Sequence, residues 1–241
     1  MEAERLAIVV ATHLRPALLP TVVQAWANTA PGYRALHVLV NHPDGAATLD
    51  ALPERCRVTH TGRTPEHAGC MARTWNLALQ WAFRDPEVAW CLCAMDDTQP
   101  LPGWPAVVAS RDADLYLAPA GDAAFLLNRR ALREVGWFDE RFAVIGFQEW
   151  DWEALRALGA DRVVLEDAHG WTVNGIGLTG FWQANVDASR RSMDHQERNR
   201  AWLAEKWGAA ADSGGGFWGA ATTGPGPRVP ELEPYPWFDR G

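Results

Sequence analysis

Residues 88–100 read Val-Ala-Trp-Cys-Leu-Cys-Ala-Met-Asp-Asp-Thr-Gln-Pro, an apolar run that stops on two adjacent carboxylates and a proline. A run this short, made of apolar, Cys and Trp residues, suits a central parallel strand covered on both faces, which Pro100 prevents from continuing. Carboxylates at the carboxyl end of such a strand stand in the crevice where open α/β sheets bind ligands. Their hard oxygens suit Mg²⁺ or Mn²⁺, ions that take one or two protein carboxylates and complete their shell with substrate phosphate and water. Adjacent acids also occur in solvated turns and helix caps, so Asp96 and Asp97 take their meaning from the residues around them.

The chain leading to that run alternates strand and helix. Residues 6–11 are an apolar strand, followed by Thr12-His13-Leu14-Arg15-Pro16 and a helical pattern over 18–26. A second strand, 36–40, breaks at the turn signature Asn41-His42-Pro43-Asp44-Gly45. Residues 57–61 read as a shorter third strand. Residues 69–83 carry Met71, Trp75, Leu77, Leu79 and Ala82 at helical spacing and deliver the chain into the strand at 88–95. This alternation implies right-handed crossovers and a mainly parallel sheet. The polar tips after the first, second and fourth strands then share one edge, so Thr12, Arg15, Asn41, Asp44, Asp96 and Asp97 converge although they are scattered in sequence.

Composition limits the alternatives. With 241 residues and 48% apolar content the chain can bury a sizeable core. A net charge of −8 gives no general footprint for duplex nucleic acid, although it is compatible with a local basic groove. No apolar stretch reaches the roughly 18 residues of a membrane span, and Met1-Glu2-Ala3-Glu4-Arg5 is too acidic for a signal peptide, which points to a cytoplasmic protein. Cys56, Cys70, Cys91 and Cys93 have neither disulfide-framework nor zinc spacing, and the last two read as small hydrophobes inside the apolar run. Fourteen Trp is a high number; core filling is the commoner reason, stacking on sugars or bases the other.

The second half has a different grammar. Residues 123–127 read as a strand and 129–135 as a short helix ending at Gly136. An aromatic and charged loop follows, Trp137-Phe138-Asp139-Glu140-Arg141-Phe142, and then Gly146-Phe147-Gln148-Glu149-Trp150-Asp151-Trp152-Glu153. A helix over 154–158 stops at Gly159, the usual place just past a helix end. Acids at a helix start commonly cap free amides, which suffices for Asp151 and Glu153. Glu149 lies upstream between aromatics, where burial raises a carboxyl toward the range of a general base.

The order of these motifs resembles that of the family 2 glycosyltransferases with the GT-A fold, over roughly residues 5–175. The resembling pieces are IVVATHLRP, LVNHPDG, AGCMARTWNLAL, AMDDTQP, GDAAFLLNRRALREVGWFDERF, FQEWDWEALRALG and EDAHGW, in that order. The resemblance implies an α/β, GT-A-type nucleotide-binding fold with a mainly parallel central sheet and flanking helices, to which the composition of the last residues adds an extended C-terminal arm. It implies a catalytic domain at 1–177, with a donor half at about 1–100 and an acceptor half at about 101–177. It also implies transfer of a sugar from a UDP-, GDP- or TDP-sugar to an acceptor hydroxyl, with inversion. Thr12 and Arg15, with Asn41 or Asp44, would hold the nucleobase and ribose; Arg73 and Asn76 match the family's usual Arg and Asn near the nucleotide. Asp96 would contact the ribose or sugar, Asp97 the divalent metal (Mn²⁺ or Mg²⁺), and His169 would complete the metal site. Family members usually present Glu-Asp or Asp-Asp where this chain has Gln148-Glu149-Trp150-Asp151, a displacement by one residue; Glu149 is the expected base and Asp151 the runner-up.

The resemblance fades after residue 178. Residues 178–208 read as a helical extension in which Trp182, Asn185, Arg190 and Arg191 either line an acceptor cleft or pack on the domain. Residues 209–241 form a Gly/Pro-rich arm whose aromatics imply docking, across the active site or onto a second copy in a homo-oligomer. The acceptor is not legible. The displaced acids also fit a sugar- or nucleotide-binding protein that keeps the fold without turnover, against which Asp96, Asp97 and Glu149 stand together. A nucleotidyltransferase would want a glycine-rich loop after the first strand, and ATHLRP has no glycine.

Overall fold

The computed structural model describes residues 2–12, 18–41, 52–61, 70–109, 113–118, 121–142, 165–167, 172–173, 195 and 197–205. After a short 3-10 turn, Ala3–Arg5, the chain runs β1 (Leu6–Thr12), α1 (Leu19–Thr29), β2 (Ala35–Val40), β3 (Cys56–His60), α2 (Met71–Phe83) and β4 (Trp90–Met95). It continues through β5 (Gln99–Pro100), α3 (Trp104–Ala109), β6 (Leu115–Ala118), β7 (Gly121–Asn128), α4 (Arg129–Val135), β8 (Leu165–Asp167) and β9 (Thr172–Val173). Seven strands form one sheet in the order β3-β2-β1-β4-β7-β6-β8. Six run in the same direction, while β7 lies antiparallel to both β4 and β6. The mixed α/β architecture with a mainly parallel sheet agrees with the sequence reading. One detail differs, since β4 is central but has a parallel neighbour only on the β1 side.

Burial on both faces explains why the strands read as unbroken apolar runs. Side chains alternate across a strand. Accordingly Ala7, Val9, Ala11, Cys91 and Cys93 pack under α2 with Trp75, Ala78 and Leu79. The intervening Leu6, Ile8, Val10, Leu92 and Ala94 pack on the opposite face with α1 and α3. Helix α1 meets that face through Leu19, Val22, Val23, Trp26 and Ala27, an i, i+3, i+4, i+7, i+8 stripe, and Pro20 sits in its first turn where its missing N–H costs nothing. Trp26, Trp75 and Trp104 are fully buried, so core filling accounts for these three. Cys91 and Cys93 behave as the small hydrophobes expected, their Sγ atoms 3.6 Å apart and burial holding the Cys93 thiol well above its ordinary pKa.

Local signals place the ends of α4. Asn128 caps its N-terminus, the side-chain oxygen accepting from the Ala131 N–H at 2.7 Å, and Gly136 closes it at φ +89°, a conformation that glycine adopts without strain. Pro100 does not simply end a strand: with Gln99 it forms β5, which pairs antiparallel with β9 in a separate two-stranded sheet. A proline is tolerated there because the ribbon is all edge. Residues 197–205 are helical, with Leu203 buried.

Candidate functional site

The carboxyl ends of β3, β2, β1 and β4 are tied into one row by backbone hydrogen bonds just beyond the strands. The Thr61 N–H donates to Val40 O (3.0 Å), the Asn41 N–H to Thr12 O (2.9 Å), and the Asp96 N–H to Ala11 O (3.0 Å). Thr12, Asn41, Asp96 and Asp97 are therefore brought together at one sheet edge, as the alternation of strands and helices implies. All four are buried. The Thr12 hydroxyl donates to Asp96 Oδ2 at 2.6 Å, a charge-assisted bond that orients the carboxylate. Asn41 donates through Nδ2 to Thr74 Oγ1 (3.0 Å), and Thr74 in turn donates to Cys70 O (2.7 Å), which fastens the edge to the first turn of α2. The other half of the Asn41 amide, Oδ1, is buried without a hydrogen-bond partner.

Behind the acidic tip lies a tryptophan brace. The Trp26 indole N–H donates to Thr98 O at 2.9 Å, Trp104 meets Trp26 edge-on at 5.6 Å, and the Trp104 N–H donates to Thr29 Oγ1 at 3.0 Å. A turn closed by the Thr98 N–H on Met95 O (3.1 Å) holds Asp96 and Asp97 at its crest. Two adjacent buried carboxylates supply the number of protein oxygens that a Mg²⁺ or Mn²⁺ site normally uses when phosphate fills the rest. Among the described residues no group of three or more His, Cys, Asp or Glu side chains could hold a metal by itself. The β5–β9 pairing sets Pro100, three residues after Asp97, beside Thr172, three residues after His169.

The α2 residues divide. Arg73 is exposed on a groove with Thr61 and Leu39 in its wall. Asn76, expected near the nucleotide, is instead fully buried with its amide spent on the loop after α4. Its Nδ2 donates to Phe138 O and Glu140 Oε1 (both 2.9 Å), and its Oδ1 accepts from the Phe138 N–H (2.9 Å). The physical reason is helical phase: position 76 lies on the buried side of α2, whereas 73 lies on the open side. The same loop is gripped from the C-terminal helix, where the Arg141 guanidinium lies 4.0 Å from the Trp202 ring while bonding Asp139 at 2.6 and 2.8 Å. Arg15, Asp44, Glu149, Asp151 and His169 lie outside the described residues, as does the arm at 209–241. Sequence reasoning missed Thr61, Thr74 and the Trp26–Trp104 brace; a threonine directly after a strand is the one signal that could have pointed to Thr61.

No family model matches the chain, and no curated protein matches it. Solved structures do. S. aureus TarS 1-349 in complex with UDP matches at 11% identity with a TM-score of 0.50, over 83% of this chain and 70% of that one. The same protein in complex with UDP-GlcNAc matches at 10% identity and a TM-score of 0.50, over 70% of this chain and 57% of that one. The mannosyltransferase PcManGT from Pyrobaculum calidifontis, in complex with GDP-Man and Mn²⁺, matches at 14% identity and a TM-score of 0.46, over 68% and 54%. This chain thus spans between 54% and 70% of the length of these solved chains. At such identities the likeness establishes the fold: the chain has a GT-A-like glycosyltransferase fold.

Proposed function

We propose that the protein is a nucleotide-sugar-dependent glycosyltransferase of the family 2 type, moving a sugar from a UDP-, GDP- or TDP-sugar to an acceptor hydroxyl. The observation that carries this reading is the row of Thr12, Asn41, Asp96 and Asp97 at the carboxyl edge of β2-β1-β4, on a GT-A-like sheet. That edge is where open α/β sheets take nucleotides. The solved TarS structures with UDP and UDP-GlcNAc are consistent with it.

In this reading Thr12 fixes Asp96 toward the ribose or sugar, Asn41 offers its unpartnered Oδ1 to a donor group of the ligand, and Arg15, Asp44 and Arg73 complete the nucleotide contacts. Asp97, with His169, would hold a divalent cation, Mn²⁺ or Mg²⁺. Such a cation, when bound, neutralises charge on the departing diphosphate. The acceptor oxygen attacks the anomeric carbon, the bond from that carbon to the diphosphate oxygen breaks with its electron pair leaving on the nucleoside diphosphate, and the acceptor proton passes to Glu149. With one base and no enzyme nucleophile, the displacement inverts the anomeric centre. The Asn76 and Arg141 contacts anchor residues 138–141, and so set the starting point of the segment that carries Glu149.

The test is transfer to added acceptors by Glu149→Gln and Asp151→Asn, with donor binding measured alongside. Glu149→Gln is expected to keep donor affinity and to lose transfer by about 10²-fold, because the amide keeps the shape but takes no proton. Full transfer by Glu149→Gln together with loss in Asp151→Asn would move the base to Asp151.

A further inference from the structure

One face of the molecule carries charge opposite in sign to the whole. A groove of about 980 Å³ follows α2, walled by Arg73 and Trp81 of that helix, Arg84 just past its end, His37 of β2 and Arg133 of α4. A second hollow of about 390 Å³ shares Trp81 and Arg84 with it and adds Arg34, Arg55 and Arg57. Seven arginines line the two, against one carboxylate, Asp85, among the described residues of a chain whose net charge is −8. Asp85 is taken by Arg34 at 2.5 Å. Arg129 is also spent, its guanidinium donating to the carbonyls of Phe83, Asp85 and Val88. Arg73, Arg84 and Arg133 are exposed and form no ion pair among the described residues.

Their spacing selects the ligand. Arg73, Leu77, Gln80 and Arg84 form one helical stripe, so the two cationic positions stand about 16 Å apart along the axis, farther than a single diphosphate spans. His37 adds a separate observation. Its side chain is 2% exposed, its ring lies 4.1 Å from that of Trp81, its Nε2 is 2.8 Å from Thr59 Oγ1, and its Nδ1 has no hydrogen-bond partner although the residue lines the groove. Burial and the nearby Arg57 keep the ring neutral, with a pKa of about 4.

We propose that this groove binds a linear phosphate-bearing polymer, a site that shares Arg73 with the proposed nucleotide contacts and otherwise uses none of their residues. Guanidinium groups match phosphate oxygens with paired donors, and Lys206 is the sole lysine among the 22 basic residues of the chain. Single-stranded nucleic acid fits less well, because the groove's one tryptophan, Trp81, already has the His37 ring against it at 4.1 Å and a 55° tilt, and among the described residues no series of aromatic faces lines the groove for bases.

The probe is inorganic polyphosphate of about ten units, titrated calorimetrically into the native protein at two salt concentrations, beside pyrophosphate and a single-stranded oligonucleotide of equal charge. Polyphosphate is expected to bind at least about 10-fold more tightly than pyrophosphate, with affinity falling steeply as salt rises. Arg84→Gln and Arg133→Gln should each weaken it about 5–10-fold at unchanged Tm, both residues being exposed. Asp97→Asn should bind it as the native protein does, and the His37 ring nitrogens should shift in ¹⁵N spectra when it is added. Native affinity in both arginine variants, or tighter binding of the oligonucleotide, would overturn the proposal. Either result leaves the donor-site reading untouched.

Discussion

Thr12 and Asp96 are joined at the carboxyl edge by a short hydrogen bond, 2.6 Å between buried groups. Removing the hydroxyl leaves a buried carboxylate short of a donor, so Thr12→Val is expected to lose about 1.5–3 kcal/mol in urea unfolding. His37 gives a pH signature. The unfolded chain protonates this ring near pH 6.5, whereas the folded chain protonates it only at about 4, through burial first and Arg57 second. Between those values the unfolded state holds more protons, so stability falls as pH drops from 6.5 toward 4. In His37→Phe the slope of stability against pH across that window should flatten by up to about one proton; an unchanged slope would mean that the ring is not the titrating group. Single residues were unevenly legible in the sequence. Asp96 and Asp97 announced themselves by ending an apolar run, while Asn76 was expected near the nucleotide only by its match to a family motif, and its amide is spent on the loop after α4.

At the scale of elements, β1, β2, β4, α1 and α2 were readable because each strand is buried on both faces and each helix carries a regular apolar stripe. β5, β8 and β9 were not: two or three residues hold no period, and pairing across some seventy positions, as between Pro100 and Thr172, leaves no local trace. β6 was also missed, because four residues are too few to show a strand period against the surrounding sequence. Arg129 shows how a helix end is held from elsewhere. The carbonyls of Phe83, Asp85 and Val88, at and beyond the end of α2, all accept from its guanidinium, which also lies 4.8 Å from the Phe83 ring. Arg129→Met should therefore cost about 2–3 kcal/mol by leaving carbonyls unsatisfied. Urea midpoints would measure it, and a loss under 0.5 kcal/mol, the size of an ordinary surface change, would show that water replaces the guanidinium.

Across the whole molecule, the mainly parallel sheet gathers residues from positions 12, 41, 96 and 97 onto one edge, while the Asn76 and Trp202 contacts tie the loop at 138–141 to the body of the fold. The most direct test of a metal-assisted nucleotide site is the affinity of native protein and Asp97→Asn for UDP, GDP and TDP, by calorimetry with Mn²⁺ and with chelator. One of these nucleotides should bind the native protein at least about 10-fold more tightly with Mn²⁺, a coupling of some 1.4 kcal/mol, and the gain should vanish in Asp97→Asn. Equal affinity with and without metal in the native protein, or no binding of any of the three, would contradict the site described here.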